Sequence, residues 1–142
     1  MTRSSRSTPL ACLALAAILA APALAAEGPE TLAIGAAAPD FDLPGTDGKR
    51  YSLADFAGDD VLVFIFTANH CPTAQAYEER ILELHEAYAS RGVRIVLISP
   101  NDPLAVRLDE QGFSDLGDTL EDMKIRAEDK GFTFPYLYDG ET

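Results

Sequence analysis

Cys71 is the residue of this chain best suited to chemistry. It follows the apolar run Val61-Leu-Val-Phe-Ile-Phe-Thr67 and is flanked by His70 and Pro72, where a helical spacing begins. The free N–H groups at a helix start favour an anion, and a thiolate is both an anion and a strong nucleophile. Cys71 is therefore the candidate nucleophile for attack on a peroxide or a protein disulfide. His70 is the candidate acid–base or electrostatic helper, because imidazole exchanges protons near neutral pH. Neighbours in sequence do not easily share one ion, and His85 lies several turns further on. The spacing thus predicts neither a metal centre nor a cofactor.

The cysteine arithmetic sharpens this reading. The chain has two cysteines, and Cys12 lies in an N-terminal apolar segment that reads as removable. Cys71 is then alone, and no internal disulfide can close. An oxidised or mixed-disulfide form of Cys71 would have to be resolved by an external thiol or dithiol.

The elements that must position Cys71 follow from the hydrophobic pattern. Val61–Thr67 reads as a central strand covered on both faces. From Pro72, a residue suited to the first helical turn, Tyr77, Ile81, Leu84 and Tyr88 make one apolar stripe, predicted to be core. Glu78, Glu79, Glu83 and Glu86 fall on other faces, predicted to be solvated. Gly92 is placed to end the helix, and Val93–Ser99 is a second buried strand, giving a parallel βαβ unit. Upstream, Asp47-Gly48 between Phe41–Leu43 and Tyr51–Leu53 predicts a hairpin over 40–53. Downstream, Asp118 or Thr119 can cap a second helix with the stripe Leu120, Met123 and Ala127, ended by Gly131. Cap and turn roles then account for Asp118 and Asp139 without chemistry. Phe132–Tyr138 is extended, and Asp139-Gly140 is a turn. The fold class is α/β.

Composition bounds the rest. The 142 residues allow one domain, and 47% apolar with 24% charged residues is globular. Residues 1–25 have the marks of a secretory signal: Arg3 and Arg6, an Ala/Leu/Ile run, Pro22, and the small-x-small pattern Ala23-Leu24-Ala25. Residues 26–38 are predicted to be a flexible lead-in and residues 39–142 the domain. The expected location is secreted or periplasmic, with no stable membrane insertion after processing. The net charge of −12 becomes −14 without the leader, since every acid lies after position 26. That sign disfavours nucleic acid and anionic lipid as partners. The sequence stops just after a turn signal, so a further strand or helix is expected beyond it.

The ordered motifs resemble the thioredoxin superfamily and, within it, the redoxin branch of alkyl-hydroperoxide-reductase/thiol-specific-antioxidant-like domains. They are Gly35-Ala-Ala-Ala-Pro-Asp-Phe-Asp-Leu-Pro-Gly, Gly48-Lys-Arg-Tyr-Ser-Leu-Ala-Asp-Phe-Ala-Gly, Phe66-Thr-Ala-Asn-His-Cys-Pro, Asp118-Thr-Leu-Glu-Asp-Met-Lys and Phe132-Thr-Phe-Pro-Tyr-Leu-Tyr-Asp. The resemblance covers about Ile34 to Gly140. It implies a thioredoxin-like fold and a thiol-dependent oxidoreductase or antioxidant, with a thiol reductant and a peroxide or protein disulfide as partners. Thioredoxin-like members carry Cys-x-x-Cys; here Ala74 follows Cys71 at that spacing, and Ala68 precedes it. Peroxiredoxins place Thr or Ser three residues before the Cys, where this chain has Ala68; Thr67, one residue off, is the candidate polar support. The family's cis-Pro strand would lie beyond Thr142. A non-enzymatic thioredoxin-fold binding module that has lost its redox pair is the alternative.

Overall fold

A computed structural model of the chain describes residues 31–110 and 114–140. The predicted signal segment 1–25, with Cys12, lies outside the described residues. The chain divides into two units after Ala37. In the first, residues 33–36 make a turn closed by the Ala36 N–H on the Ala33 carbonyl at 3.0 Å.

The second unit starts with the predicted hairpin. Strands β1 (Asp42–Pro44) and β2 (Arg50–Ser52) pair antiparallel with Leu43 opposite Tyr51. Gly48 takes φ +81° in the turn, a conformation that glycine adopts without a Cβ penalty. Asp47 braces the turn by accepting the Lys49 N–H at 3.1 Å and the Tyr51 hydroxyl at 2.8 Å.

Strand β3 (Val61–Phe66), helix α1 (Pro72–Tyr88) and strand β4 (Val93–Ser99) form the predicted parallel βαβ unit, in register from Val61 opposite Val93 to Phe66 opposite Ile98. Gly92, at φ +78°, reverses the chain before β4. Helix α2 (Leu120–Lys130) is stopped by Gly131 at φ +68°, and strand β5 (Tyr136–Tyr138) pairs parallel with β4. The sheet order is β3-β4-β5.

Strand β4 is the axis of the core, and its side chains alternate between two apolar clusters as strand geometry requires. Ile95 and Leu97 join Ile81 of α1, Met123 of α2, Phe134 and Tyr136 on the helical face. Val96 and Ile98 join Leu43, Phe56 and Leu137 on the hairpin face. The Thr46 N–H donates to the Tyr136 carbonyl at 3.0 Å and ties the hairpin loop to β5.

Three expectations change. β3 is an edge strand among the described residues, with Val61 and Phe66 exposed. A short apolar run looks alike at the centre or the edge of a sheet, and only pairing decides. The α1 stripe is core at Ile81 alone, since Tyr77, Leu84 and Tyr88 are exposed. Glu78, expected in solvent, is buried, with Arg126 Nε at 2.7 Å on Oε1 and Lys130 Nζ at 3.1 Å from Oε2. It clamps α1 to α2 through partners 48 and 52 residues away, beyond the reach of any helical periodicity.

Candidate active site

The strand-to-helix junction is where the chain places its polar machinery. β3 runs out at Phe66, and the Thr67 N–H adds one more bond to the sheet, donating to the Ile98 carbonyl at 2.9 Å. Cys71 is the residue immediately before α1, in extended conformation, with Pro72 in the first helical turn. A helix leaves the N–H groups of its first turn without intrahelical acceptors. The Cys71 side chain makes no capping bond to them, while its carbonyl accepts the Gln75 N–H at 3.0 Å. The thiol is thus free and half-buried beside a concentration of donors.

Cys71 lies in a groove of about 670 Å³ that it lines with Phe66, Thr67, Ala74, Tyr77 and Leu84. Tyr77 and Leu84 of the α1 stripe therefore wall this groove. The Arg80 guanidinium sits over the Tyr77 ring, 5.1 Å from its centroid. Ala74, at the spacing where a dithiol motif has its second cysteine, presents only a methyl group there.

His70 takes another direction. It lines a separate cleft with Pro100, Asn101, Asp102 and Glu110 of the β4–α2 connection. Its ring Nδ1 is hydrogen-bonded to Asp118 Oδ2. The structure therefore brings Thr67 and Cys71 to one groove, and holds His70 by a residue that sequence reasoning treated as a cap.

Asp118 is fully buried. Its Oδ1 accepts the Asn69 N–H at 2.6 Å and lies 3.4 Å from the His70 N–H, while Oδ2 also accepts Asn101 Nδ2 at 3.1 Å. Thr119 takes the helix cap instead, its Oγ1 accepting the Asp122 N–H at 3.1 Å. Asn69, also buried, donates Nδ2 to the Gly117 carbonyl at 2.7 Å and accepts the Tyr136 hydroxyl on Oδ1 at 3.1 Å. Its own carbonyl accepts Gln75 Nε2 at 2.7 Å. Burial, reinforced by the nearby Asp118 charge, pushes the Tyr136 phenol far above its ordinary range, so it stays a neutral donor. One signal in the sequence could have found Asp118: two adjacent cap-competent residues compete for one cap position, leaving one side chain spare.

Sheet, helices and junction cysteine define a thioredoxin-like α/β domain with the Cys71 thiol at the start of its first helix. The chain belongs to the AhpC/TSA family, which it matches over residues 34–142. It is 38% identical over 84 residues to a protein of Mycobacterium tuberculosis (strain CDC 1551 / Oshkosh) provisionally named a peroxiredoxin, covering 56% of this chain and 52% of that one. The chain spans about half the length of the curated relatives it matches first. Among solved structures, a hypothetical protein from Sinorhizobium meliloti 1021 is similar with a TM-score of 0.65 and 31% identity, covering 78% of this chain and 55% of that one. A thiol:disulfide interchange protein of the thioredoxin family from Chlorobium tepidum TLS shares the fold, with a TM-score of 0.53 and 23% identity over 71% of this chain and 58% of that one.

Proposed function

We propose that this chain is an exported one-cysteine redoxin in which the Cys71 thiolate attacks a hydroperoxide or a partner's disulfide. The observation that carries the reading is the placement of Cys71: half-buried, unbonded, at the N-terminus of α1 and open to a groove. Family membership and the peroxiredoxin relative support the peroxide arm. The leader-like residues 1–25 support export.

With a hydroperoxide ROOH, the sulfur attacks the terminal oxygen. An S–O bond forms as the O–O bond breaks, and the sulfur is oxidised by two electrons. The departing RO⁻ takes up the proton lost by the thiol and leaves as ROH, giving a Cys71 sulfenic acid. An external thiol condenses with the sulfenic acid, releasing water and leaving a mixed disulfide. A second external thiol restores Cys71 and carries away the disulfide. Thr67, which lines the same groove as Cys71, is the polar support there.

The test is stopped-flow reaction with hydrogen peroxide and with a small aromatic disulfide, followed by intact mass. Oxidation that adds one oxygen at Cys71, reverses with dithiothreitol and is absent in Cys71→Ser supports the reading. A thiol that reacts with both oxidants no faster than free cysteine overturns it in favour of a binding module.

A further inference from the structure

Arg80 is unlike most cations of this acidic chain, in which 23 acids face 11 lysines and arginines. Among the described residues, every lysine and arginine apart from Arg80 and Arg91 is paired with a carboxylate. Arg80 and Arg91 each lie over a tyrosine ring instead, and of the two it is Arg80 that lines the Cys71 groove. Glu83 stands one turn further along the same helix, yet the guanidinium turns back to Tyr77. A cation–π contact holds the guanidinium and leaves its N–H fork open to an anion.

Between thiol and cation the groove is largely apolar, lined by Ile65 and Phe66 of β3 and by Tyr77 and Ile81 of α1. Phe66 and Tyr77 are exposed, so an apolar chain bound there would take them out of water. The volume of about 670 Å³ is that of a small-molecule site. A helix rises about 1.5 Å per residue, which puts the guanidinium, between the levels of Tyr77 and Arg80, about 9–13 Å along the axis from Cys71. An occupant that matches both ends is apolar along its length and anionic at one end. The net charge of −12 repels an anion in general, so such an occupant needs a cation that no carboxylate has already taken.

We propose that the groove takes an acyl hydroperoxide bearing a free carboxylate, with Arg80 holding the carboxylate and the hydroperoxide lying against the Cys71 sulfur. The inference rests on the redoxin reading above and names its substrate class. The sulfur takes the terminal oxygen as the O–O bond breaks, and the alkoxide takes up the thiol proton and leaves as the hydroxy acid. Arg80 binds the remote end of the substrate and takes no part in the bond changes. Its planar fork suits a carboxylate, which it can hold through two parallel hydrogen bonds.

The test compares linoleic acid hydroperoxide with its methyl ester, both below micellar concentration, in stopped-flow oxidation of Cys71 in wild type and Arg80→Gln. Wild type is expected to react about tenfold faster with the acid than with the ester, the effect of one charge-assisted pair. The preference is expected to vanish in Arg80→Gln, and since acid and ester are compared within each protein, any change in thiol reactivity cancels. Equal rates for acid and ester in wild type, or an undiminished preference in Arg80→Gln, overturns the proposal. Linoleic acid itself, which carries no hydroperoxide, is expected to slow iodoacetamide alkylation of Cys71 severalfold in wild type and much less in Arg80→Gln. No slowing in wild type also overturns the proposal, and is the result expected if a further segment of chain or a second copy fills the groove. Both wild-type measurements stand even if Arg80→Gln does not fold. Wild-type protein that hydrogen peroxide, the aromatic disulfide and the acyl hydroperoxide all oxidise no faster than free cysteine sinks the redoxin reading itself. Fast oxidation by hydrogen peroxide with no preference for the acid sinks only the assignment of the groove and Arg80.

Discussion

Replacing Asn69 by alanine tests whether the buried network beneath Cys71 holds the junction together. The side chain makes two bonds, Nδ2 to the Gly117 carbonyl at 2.7 Å and Oδ1 from the Tyr136 hydroxyl at 3.1 Å. Alanine removes both and leaves the buried Tyr136 hydroxyl without this acceptor. Stranding a buried polar group costs about 1–3 kcal/mol, and the second bond adds about 1 kcal/mol. The small cavity left by the amide adds to this, and relief of the amide's own desolvation offsets part of it. A net loss of about 3 kcal/mol results, a large share of the roughly 5–15 kcal/mol of a typical domain. With a urea slope of about 2 kcal/mol/M, the unfolding midpoint should fall by about 1.5 M. Urea denaturation followed by circular dichroism reads this directly. Tyr136→Phe combined with Asn69→Ala should lose less than the sum of the single changes by about 1 kcal/mol, since the two share one bond. A midpoint within about 0.5 M of wild type would refute the claim that these two bonds secure the junction.

Other consequences are open to measurement. Glu78→Gln leaves the mostly buried Arg126 side chain without its anion, so stability should fall by about 2 kcal/mol, less than a deeply buried pair would lose because Lys130 is partly in solvent. Urea melts that coincide for Glu78→Gln and wild type would refute the clamp between α1 and α2. Tyr136 has a raised phenol pKa, so its contribution is complete below about pH 10, the unfolded value, and is lost as pH rises towards the folded one. In that window stability should fall by about 1.4 kcal/mol per pH unit from this group, and Tyr136→Phe should flatten the slope. Absorbance at 295 nm showing every tyrosine ionised while the chain remains folded would count against it.

Most of what the sequence by itself determined here is local. Glycines at 48, 92 and 131 sit where the backbone turns left-handed, and their neighbours state the direction of the chain on either side. Pro72 announces the start of α1, and so puts Cys71 at a helix N-terminus before any tertiary contact is known. The periodic apolar positions of β4 and α2 face the core, because strand and helix periods leave them little choice. What depended on residues far apart in the chain was legible only in part. A run such as Val61–Phe66 carries no mark of whether a second strand lies beside it. Tyr77 and Leu84 have the spacing of core residues and instead wall the groove beside Cys71. Glu78 is buried because Arg126 and Lys130 arrive from another helix. Asp118 turns from its own helix to His70, 48 residues upstream, because Thr119 satisfies the cap and the chain before Cys71 presents donors that need an acceptor. Local propensity is settled within one turn of backbone, whereas a buried polar group is settled by which partner the folded chain brings within 3 Å, and that choice exists only in three dimensions.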